Sequence, residues 1–172
     1  METTSNAPSS GRVAKLRQQV SACVGMRVHA SQMRGDNILG VELVKEIESS
    51  SGSKPDRLKL WVYTPAWRLD AADRALAASG DNAEVIAAAL TSLPGQHVTA
   101  VSIAHPSLDT TFTLTACRLR IFPVYYGSDE RSFTWTLNSV PGRRLLAVGP
   151  GSNWSIRTRR DPQGGGPIDE EP

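Results

Sequence analysis

Two distant segments of this chain share a spaced pattern of residues, and that likeness constrains the fold more than any other feature. The segment SACVGMRV at 21–28 and the segment TSLPGQHV at 91–98 match at a small residue, an apolar residue, a glycine and a valine, seventy positions apart. A helical spacing precedes each glycine, and a strand spacing follows it. The sequence therefore predicts one helix-and-strand unit that occurs twice.

The helix of each unit is indicated by apolar side chains at positions i, i+4 and i+7, which form one stripe on a helix. These residues are Leu16, Val20 and Cys23 in the first unit and Ile86, Leu90 and Leu93 in the second. We predict helices over about 12–22 and about 83–92. Asp81 or Asn82 is suited to cap the second helix, because a short polar side chain can accept a hydrogen bond from the first free backbone N–H groups.

Strand candidates follow each helix, because apolar and polar residues alternate there between turn residues. In the first unit they cover 27–33, 38–47, 57–63 and 66–69, and in the second they cover 97–104, 110–116, 118–126 and 134–137. Two further strands, 143–149 and 154–158, extend the second unit. The third strands match from their first arginine, and the fourth strands match at a tryptophan. Each unit therefore reads as a helix followed by an antiparallel meander.

A chain of 172 residues forms a single domain by default, since two separate domains of half that length would each have a marginal core. The ends at 1–10 and 158–172 are polar and rich in Gly, Pro and Ser, so we expect disordered tails. Between them we expect one α+β, β-rich domain formed by an internal duplication. Its parts are unit one at 11–69, a connecting helix at 70–80 and unit two at 81–157.

The charge of the chain is close to balance, with a formal net charge of +2. This argues against the dense positive field of a protein that binds a phosphate backbone tightly. The one dense basic run, RTRR at 157–160, is typical of the solvated end of a strand. No apolar run approaches the roughly twenty residues that cross a bilayer, and the N-terminus lacks a signal-peptide pattern. We therefore expect a cytoplasmic protein with no membrane contact.

No stretch of the chain matches a catalytic or cofactor motif. The candidate side chains are three histidines, two cysteines and three glutamates. They are His29, His97 and His105, Cys23 and Cys117, and Glu42, Glu46 and Glu48. The histidines lack the i, i+4 spacing of a zinc site, the cysteines lie at core positions of the pattern, and the glutamates share the polar face of a strand. We expect no enzyme activity, no cofactor and no metal site.

The aromatic residues give the leading functional hypothesis. Nine of the ten Phe, Tyr and Trp residues lie on the third, fourth or added strands of the two units, with arginines close to them in the sequence. Aromatic side chains that do not all point inward form the kind of patch that is enriched at protein interfaces. We therefore expect a protein-binding module with an unknown partner. Its expected contact residues are Trp61, Tyr63, Trp67, Arg68, Arg120, Phe122 and Trp135.

Two other classes of function stay open. The first is a binder of single-stranded nucleic acid, in which strand aromatics stack on bases and arginines contact phosphates. Its arginines are Arg118, Arg120, Arg143, Arg144 and those of the run at 157–160. The second is an enzyme or small-ligand carrier with a site between the two units, using His29, Glu42 or His97.

The second unit also resembles a group of known domains. Its segments LPGQHVTAVSI, CRLRIFP, FTWTL and GRRLLAVGPGSNWSI, within about residues 93–156, resemble small bacterial β-rich domains of unknown function. Those domains carry a G-x-x-V strand, a Leu-rich strand and a W-x-L strand that ends in a glycine turn and a tryptophan. Some of them are similar to immunity proteins, which bind a toxin without catalysis. The resemblance implies an interaction role and assigns no functional residue.

Overall fold

A computed structural model describes residues 10–35, 37–46, 56–63, 66–123, 133–140, 144–149, 152–158 and 169–170 of the chain. The helices are α1 (Ser10–Val20), which continues into a short 3₁₀ turn (Ser21–Cys23), and α2 (Ala83–Leu90). The strands are β1 (Arg27–Arg34), β2 (Ile38–Val44), β3 (Arg57–Val62), β4 (Trp67–Asp70), β5 (Ala75–Ala78), β6 (Val98–Ile103), β7 (Thr110–Leu114), β8 (Arg118–Ile121), β9 (Trp135–Val140), β10 (Arg144–Val148), β11 (Trp154–Thr158) and β12 (Asp169–Glu170). The described part of the chain is β-rich, as the alternating pattern predicts.

The strands form two antiparallel sheets that share one core. The large sheet has the order β1-β2-β3-β9-β10-β11-β12, and the small sheet has the order β5-β4-β8-β7-β6. Along each strand, alternate side chains face inward, as the period of two requires. The inner side chains of both sheets and both helices form one continuous buried cluster. The ring of Phe112 in the small sheet meets the ring of Trp135 in the large sheet edge to face, with centroids 6.0 Å apart.

Each sheet combines strands from both halves of the chain. The large sheet begins β1-β2-β3-β9-β10, and the small sheet, taken from its other edge, runs β6-β7-β8-β4-β5. Three consecutive strands of one half are therefore completed by a two-strand segment of the other half. The meander expected within each unit is wrong at its fourth strand, since Trp67 pairs with Ile121 of the second half and Trp135 pairs with Val62 of the first.

The two halves also match in local detail at an offset of seventy residues. A β-bulge interrupts β1 between Val28 and Ala30, and another interrupts β6 between Val98 and Ala100. The glycines that end the two helical segments, Gly25 and Gly95, both have a positive φ, of 85° and 90°. That backbone conformation is strained for any residue with a Cβ, which explains the glycine in both segments.

Backbone hydrogen bonds between the halves are reciprocal. The N–H of Gly25 donates to Val98 at 2.8 Å, and the N–H of Gly95 donates to Val28 at 2.8 Å. The N–H of Val28 donates to the carbonyl of residue 96, and the N–H of Val98 donates to the carbonyl of residue 26. An isolated bridge between Arg27 and His97 lies between these bonds. The edge strands β1 and β6 therefore meet at their first residues, around an approximate twofold axis.

The connecting helix expected over 70–80 is wrong. Residues 75–78 form β5, which pairs with β4 and buries Ala77 against Leu69. Alanine favours helix by intrinsic propensity, but a propensity of a few tenths of a kcal/mol per residue is readily outweighed by strand pairing over a buried core. The tails are only partly described. Asp169–Glu170 form β12 beside β11, against the expectation for 158–172, and residues 1–9, 159–168 and 171–172 lie outside the described part.

Candidate binding surface

The seven side chains expected to bind a partner lie in three separate places. Trp61 and Tyr63 lie on the outer face of the large sheet. Arg68, Arg120 and Phe122 follow the outward positions of the small sheet. Trp67 and Trp135 lie in the core, with 2% and 0% of their surface exposed. The structure therefore corrects the expectation that these two tryptophans are available for binding, because each shares its inward orientation with the leucine two residues later.

Trp61 lies flat on the outer face of the large sheet, above a glycine. Its neighbours across the sheet are Gly40 on β2 and Thr136 on β9. A Cβ added to Gly40 would lie 2.5 Å from Cζ3 of the Trp61 ring, so only glycine leaves room for the ring in this position. Arg34 of β1 lies over the ring, with its guanidinium carbon 5.2 Å from the ring centroid. Gly40 and Arg34 together fix the indole against the sheet, with one part of it open to solvent.

Polar side chains surround this indole. Tyr63 is 37% exposed, and its hydroxyl lies 3.4 Å from the Thr136 hydroxyl. A shallow depression of about 160 Å³ beside Trp61 is bordered by Gln32 and Lys59. We call this surface the Trp61 face. It is defined by Gln32, Arg34, Gly40, Lys59, Trp61 and Tyr63. An aromatic centre within a polar rim is typical of protein-binding surfaces.

The outer face of the small sheet has a different chemistry, and we call it the arginine face. It is defined by Arg68, Asp70, Arg118, Arg120 and Phe122. The carboxylate of Asp70 accepts two hydrogen bonds from Arg68, at 2.7 Å and 3.2 Å. Nε of Arg120 lies 3.0 Å from the same carboxylate, as an ion pair without the alignment of a hydrogen bond. The carboxylate of Asp70 thus shares its charge between two guanidinium groups. Arg118 of β8 is the residue paired with Asp70 across the two strands.

The two faces occupy equivalent positions of their sheets. In the large sheet, Leu60 pairs with Val41 of β2 and with Leu137 of β9. In the small sheet, Leu119 pairs in the same way with Phe112 of β7 and with Leu69 of β4. Trp61 is therefore equivalent to Arg120. The sequence comparison, which aligned the third strands from their first arginine, is wrong by two residues, because it equates Trp61 with Phe122.

The remaining candidates do not converge on one site. Glu42 forms an ion pair with Arg57 at 3.1 Å, and His97 lies at the bridge with Arg27. His29 is exposed on β1. Among the residues that the structure describes, no group of three or more His, Cys, Asp or Glu side chains could hold a metal ion, and no helix is long and apolar enough to cross a membrane. Glu48, Arg143 and the last two arginines of the 157–160 run lie outside the described residues.

Both cysteines are buried, as the apolar pattern predicts. Burial raises the pKa of the Cys23 thiol to about 12, against a smaller lowering by its hydrogen bond to the backbone. Burial also raises the pKa of the Cys117 thiol, and a hydrogen bond with Gln96 opposes that rise. Both thiols are therefore protonated at neutral pH, and a protonated thiol is a poor nucleophile.

No protein-family model, curated protein or solved structure matches this chain.

Proposed function

We propose that this chain is a non-enzymatic protein-binding module of the cytoplasm and that the Trp61 face is its contact surface. The observation that carries the proposal is the indole of Trp61, held flat on the sheet by Gly40 and Arg34. A side chain that is already fixed in the free protein loses little conformational entropy when a partner covers it. The part of the ring that is still open to solvent can therefore contribute to binding with little loss of conformational entropy.

The composition of the Trp61 face supports the same conclusion. Trp, Tyr and Arg are the residue types most enriched among side chains that dominate interface energetics, and Trp61, Tyr63 and Arg34 supply one of each. The resemblance of residues 93–156 to small bacterial domains, some of them immunity-like, supports a protein that binds its partner without catalysis.

Affinity purification of the tagged chain from its native host, followed by mass spectrometry, tests the proposal. We compare the native chain with Trp61→Ala and with Arg120→Ala, which changes the equivalent position on the arginine face. A stoichiometric protein companion should be lost with Trp61→Ala and kept with Arg120→Ala, while circular dichroism shows that both variants fold. A companion that survives Trp61→Ala, or no companion at all, would refute the proposal.

The same eluate distinguishes the nucleic-acid alternative. A 260/280 nm absorbance ratio that is high at low salt, falls in high salt and is lost with Arg120→Ala would favour binding to a nucleic acid through the arginine face. We place this alternative second. Two arginines of that face, Arg68 and Arg120, are already ion-paired with Asp70, and this pairing reduces the positive charge available to a phosphate backbone.

We also infer that the chain arose by internal duplication of one ancestral unit. The matched bulges, the paired glycines with positive φ and the reciprocal hydrogen bonds support this origin. Under duplication, the Trp61 face and the arginine face are two descendants of one ancestral surface. Their different chemistry then indicates that only one of them kept or gained the contact with the partner.

A further inference from the structure

A groove of about 810 Å³ lies between α2 of the second half and the edge strand β1 of the first. Its walls are mostly apolar and include Ile86 and Leu90 of α2 and Met33 of β1. Gln32 borders both this groove and the depression beside Trp61, so the groove continues the Trp61 face around the edge of the large sheet. We call it the α2 groove.

The equivalent place in the other half is filled by the chain itself. At the offset of seventy residues, α1 corresponds to α2 and β6 corresponds to β1. On α1, Val13 is 5% exposed, and Nη2 of Arg17 donates a hydrogen bond of 2.9 Å to the carbonyl of Ile103 on β6. The aliphatic stem and the guanidinium of one arginine thus connect helix and edge strand.

Two alanines leave the α2 groove open. Ala83 stands where α1 has Val13, and Ala87 stands where α1 has Arg17; both alanines are exposed and line the groove. From residue 14 to 20 of α1 and from residue 84 to 90 of α2, buried and exposed positions follow each other in the same order. The carbonyl equivalent to that of Ile103 belongs to Met33. A methyl group at residue 87 carries no donor, so α2 cannot supply the hydrogen bond that Arg17 supplies on α1.

The charge at the groove favours a cation. Asp81 lies at its rim, where its carboxylate accepts a hydrogen bond from the N–H of Ala78 at 2.8 Å. No Lys or Arg is among the described residues that line the groove. Arg34, the next residue after Met33, stacks on the Trp61 ring on the outer face instead. The groove therefore combines apolar walls and one carboxylate, and it is lined by Met33, whose carbonyl is equivalent to that of Ile103.

We propose that the α2 groove binds an arginine side chain of the protein partner. The guanidinium donates to the carbonyl of Met33 and faces the carboxylate of Asp81, while the methylene groups pack on Ala83 and Ala87. The proposal rests on the proposed function, since the arginine belongs to a partner that also covers the Trp61 face. The hydrogen bond from Arg17 to the carbonyl of Ile103, at the equivalent place in the other half, is the same type of contact.

The test uses the ¹⁵N-labelled full chain and the capped peptide Gly-Val-Arg-Val-Gly, followed by NMR titration. Saturable shifts are expected at residues 31–33 and 83–91. The same peptide with citrulline, which has the shape of arginine without its charge, should bind about fivefold more weakly, because a charged donor makes the stronger hydrogen bond. Absent shifts at these residues, or equal binding of the citrulline peptide, would overturn the proposal.

Two variants of α2 provide a matched pair. Ala87→Arg places a guanidinium where Arg17 lies on α1 and should abolish binding of the peptide. Ala88→Arg adds the same side chain at an exposed position of α2 that does not line the groove, and it should leave binding unchanged. Equal effects of the two variants would contradict the assignment of the site.

The source of the arginine and the proposed function are separated by two further comparisons. If capped free arginine binds as tightly as the peptide, the ligand of the groove is a small guanidine compound, and the proposal of a partner protein at this site is overturned. A protein companion that is lost with Trp61→Ala but kept with Ala87→Arg would overturn this inference and leave the proposed function intact. If the peptide binds at the groove but no protein companion depends on Trp61, the proposed function is refuted and the arginine site in the groove remains.

Discussion

Replacing Gly40 by alanine should force the Trp61 ring away from the large sheet. The added Cβ would lie 2.5 Å from Cζ3, 3.0 Å from Cε3 and 3.2 Å from Cη2 of the indole. These distances are below normal contact, so the ring must move. Trp61 can move because one side of it is open to solvent, and the prediction is therefore a local rearrangement of the Trp61 face with the core intact.

The expected magnitude is the difference between two opposing effects. Overpacking of a methyl group against a fixed neighbour costs about 1–3 kcal/mol of folding free energy. Replacing a glycine in the interior of a strand returns roughly 0.5–1 kcal/mol, because glycine loses more backbone entropy on folding. Gly40→Ala should therefore destabilise the native chain by up to about 2.5 kcal/mol, and by about 1 kcal/mol at the middle of the two ranges.

The sign should reverse when the indole is absent. In a Trp61→Ala background only the strand effect remains, and Gly40→Ala should stabilise the chain by roughly 0.5–1 kcal/mol. Urea unfolding of the native chain, the two single variants and the double variant, followed by circular dichroism, measures this interaction energy. An equal effect of Gly40→Ala in both backgrounds would show that contact with Trp61 is not the cause, and it would remove the structural basis of the Trp61 face.

Two further predictions concern the core. Burial raises the pKa of the Cys23 thiol to about 12 from the ordinary 9.0, so the thiol ionises at lower pH in the unfolded chain than in the folded one. The contribution of the protonated thiol to folding stability is therefore complete below pH 9 and is lost between pH 9 and pH 12. Urea unfolding at pH 8, 9 and 10 should thus show the native chain losing stability faster than Cys23→Ala, by up to about 1.4 kcal/mol per pH unit; parallel curves would contradict this. Phe112→Ala should cost about 3–5 kcal/mol and weaken both sheets together, because Phe112 contacts Trp135 of the other sheet. Tryptophan fluorescence and circular dichroism should then give one shared transition, whereas separate transitions would indicate two cores.

The strands were largely predictable from the sequence because alternation in a half-buried strand is a local signal. Ten of the twelve strands in the described part of the chain lie within or close to the predicted ranges. β5 was missed because its sequence, ALAA, favours helix locally and becomes a strand only by pairing with β4. The exchange of β4–β5 and β9–β10 between the sheets could not be predicted, since it depends on pairings between residues more than fifty positions apart, such as Trp67 with Ile121.

The candidate site was predictable only in part. Period-two alternation would have separated Trp61, which alternates with Leu60 and Val62, from Trp67 and Trp135, which share a face with Leu69 and Leu137. Placement on the third, fourth and added strands groups nine of the ten aromatic residues together, whichever face of the strand each one occupies. The α2 groove was missed, although the alanines at 83 and 87 against the valine and arginine at 13 and 17 are visible once the two helices are aligned.

The exchange of strands between the two sheets has a consequence for synthesis of the chain on the ribosome. When the first half has emerged, β3 has no neighbour on one side, because Val62 pairs with Trp135 far along the chain. The β4–β5 segment likewise waits for β8. Neither sheet can close until the second half is translated, so the first half cannot complete its fold before the second half has emerged. Such long-range pairings slow folding, because the chain must close large loops before the contacts form.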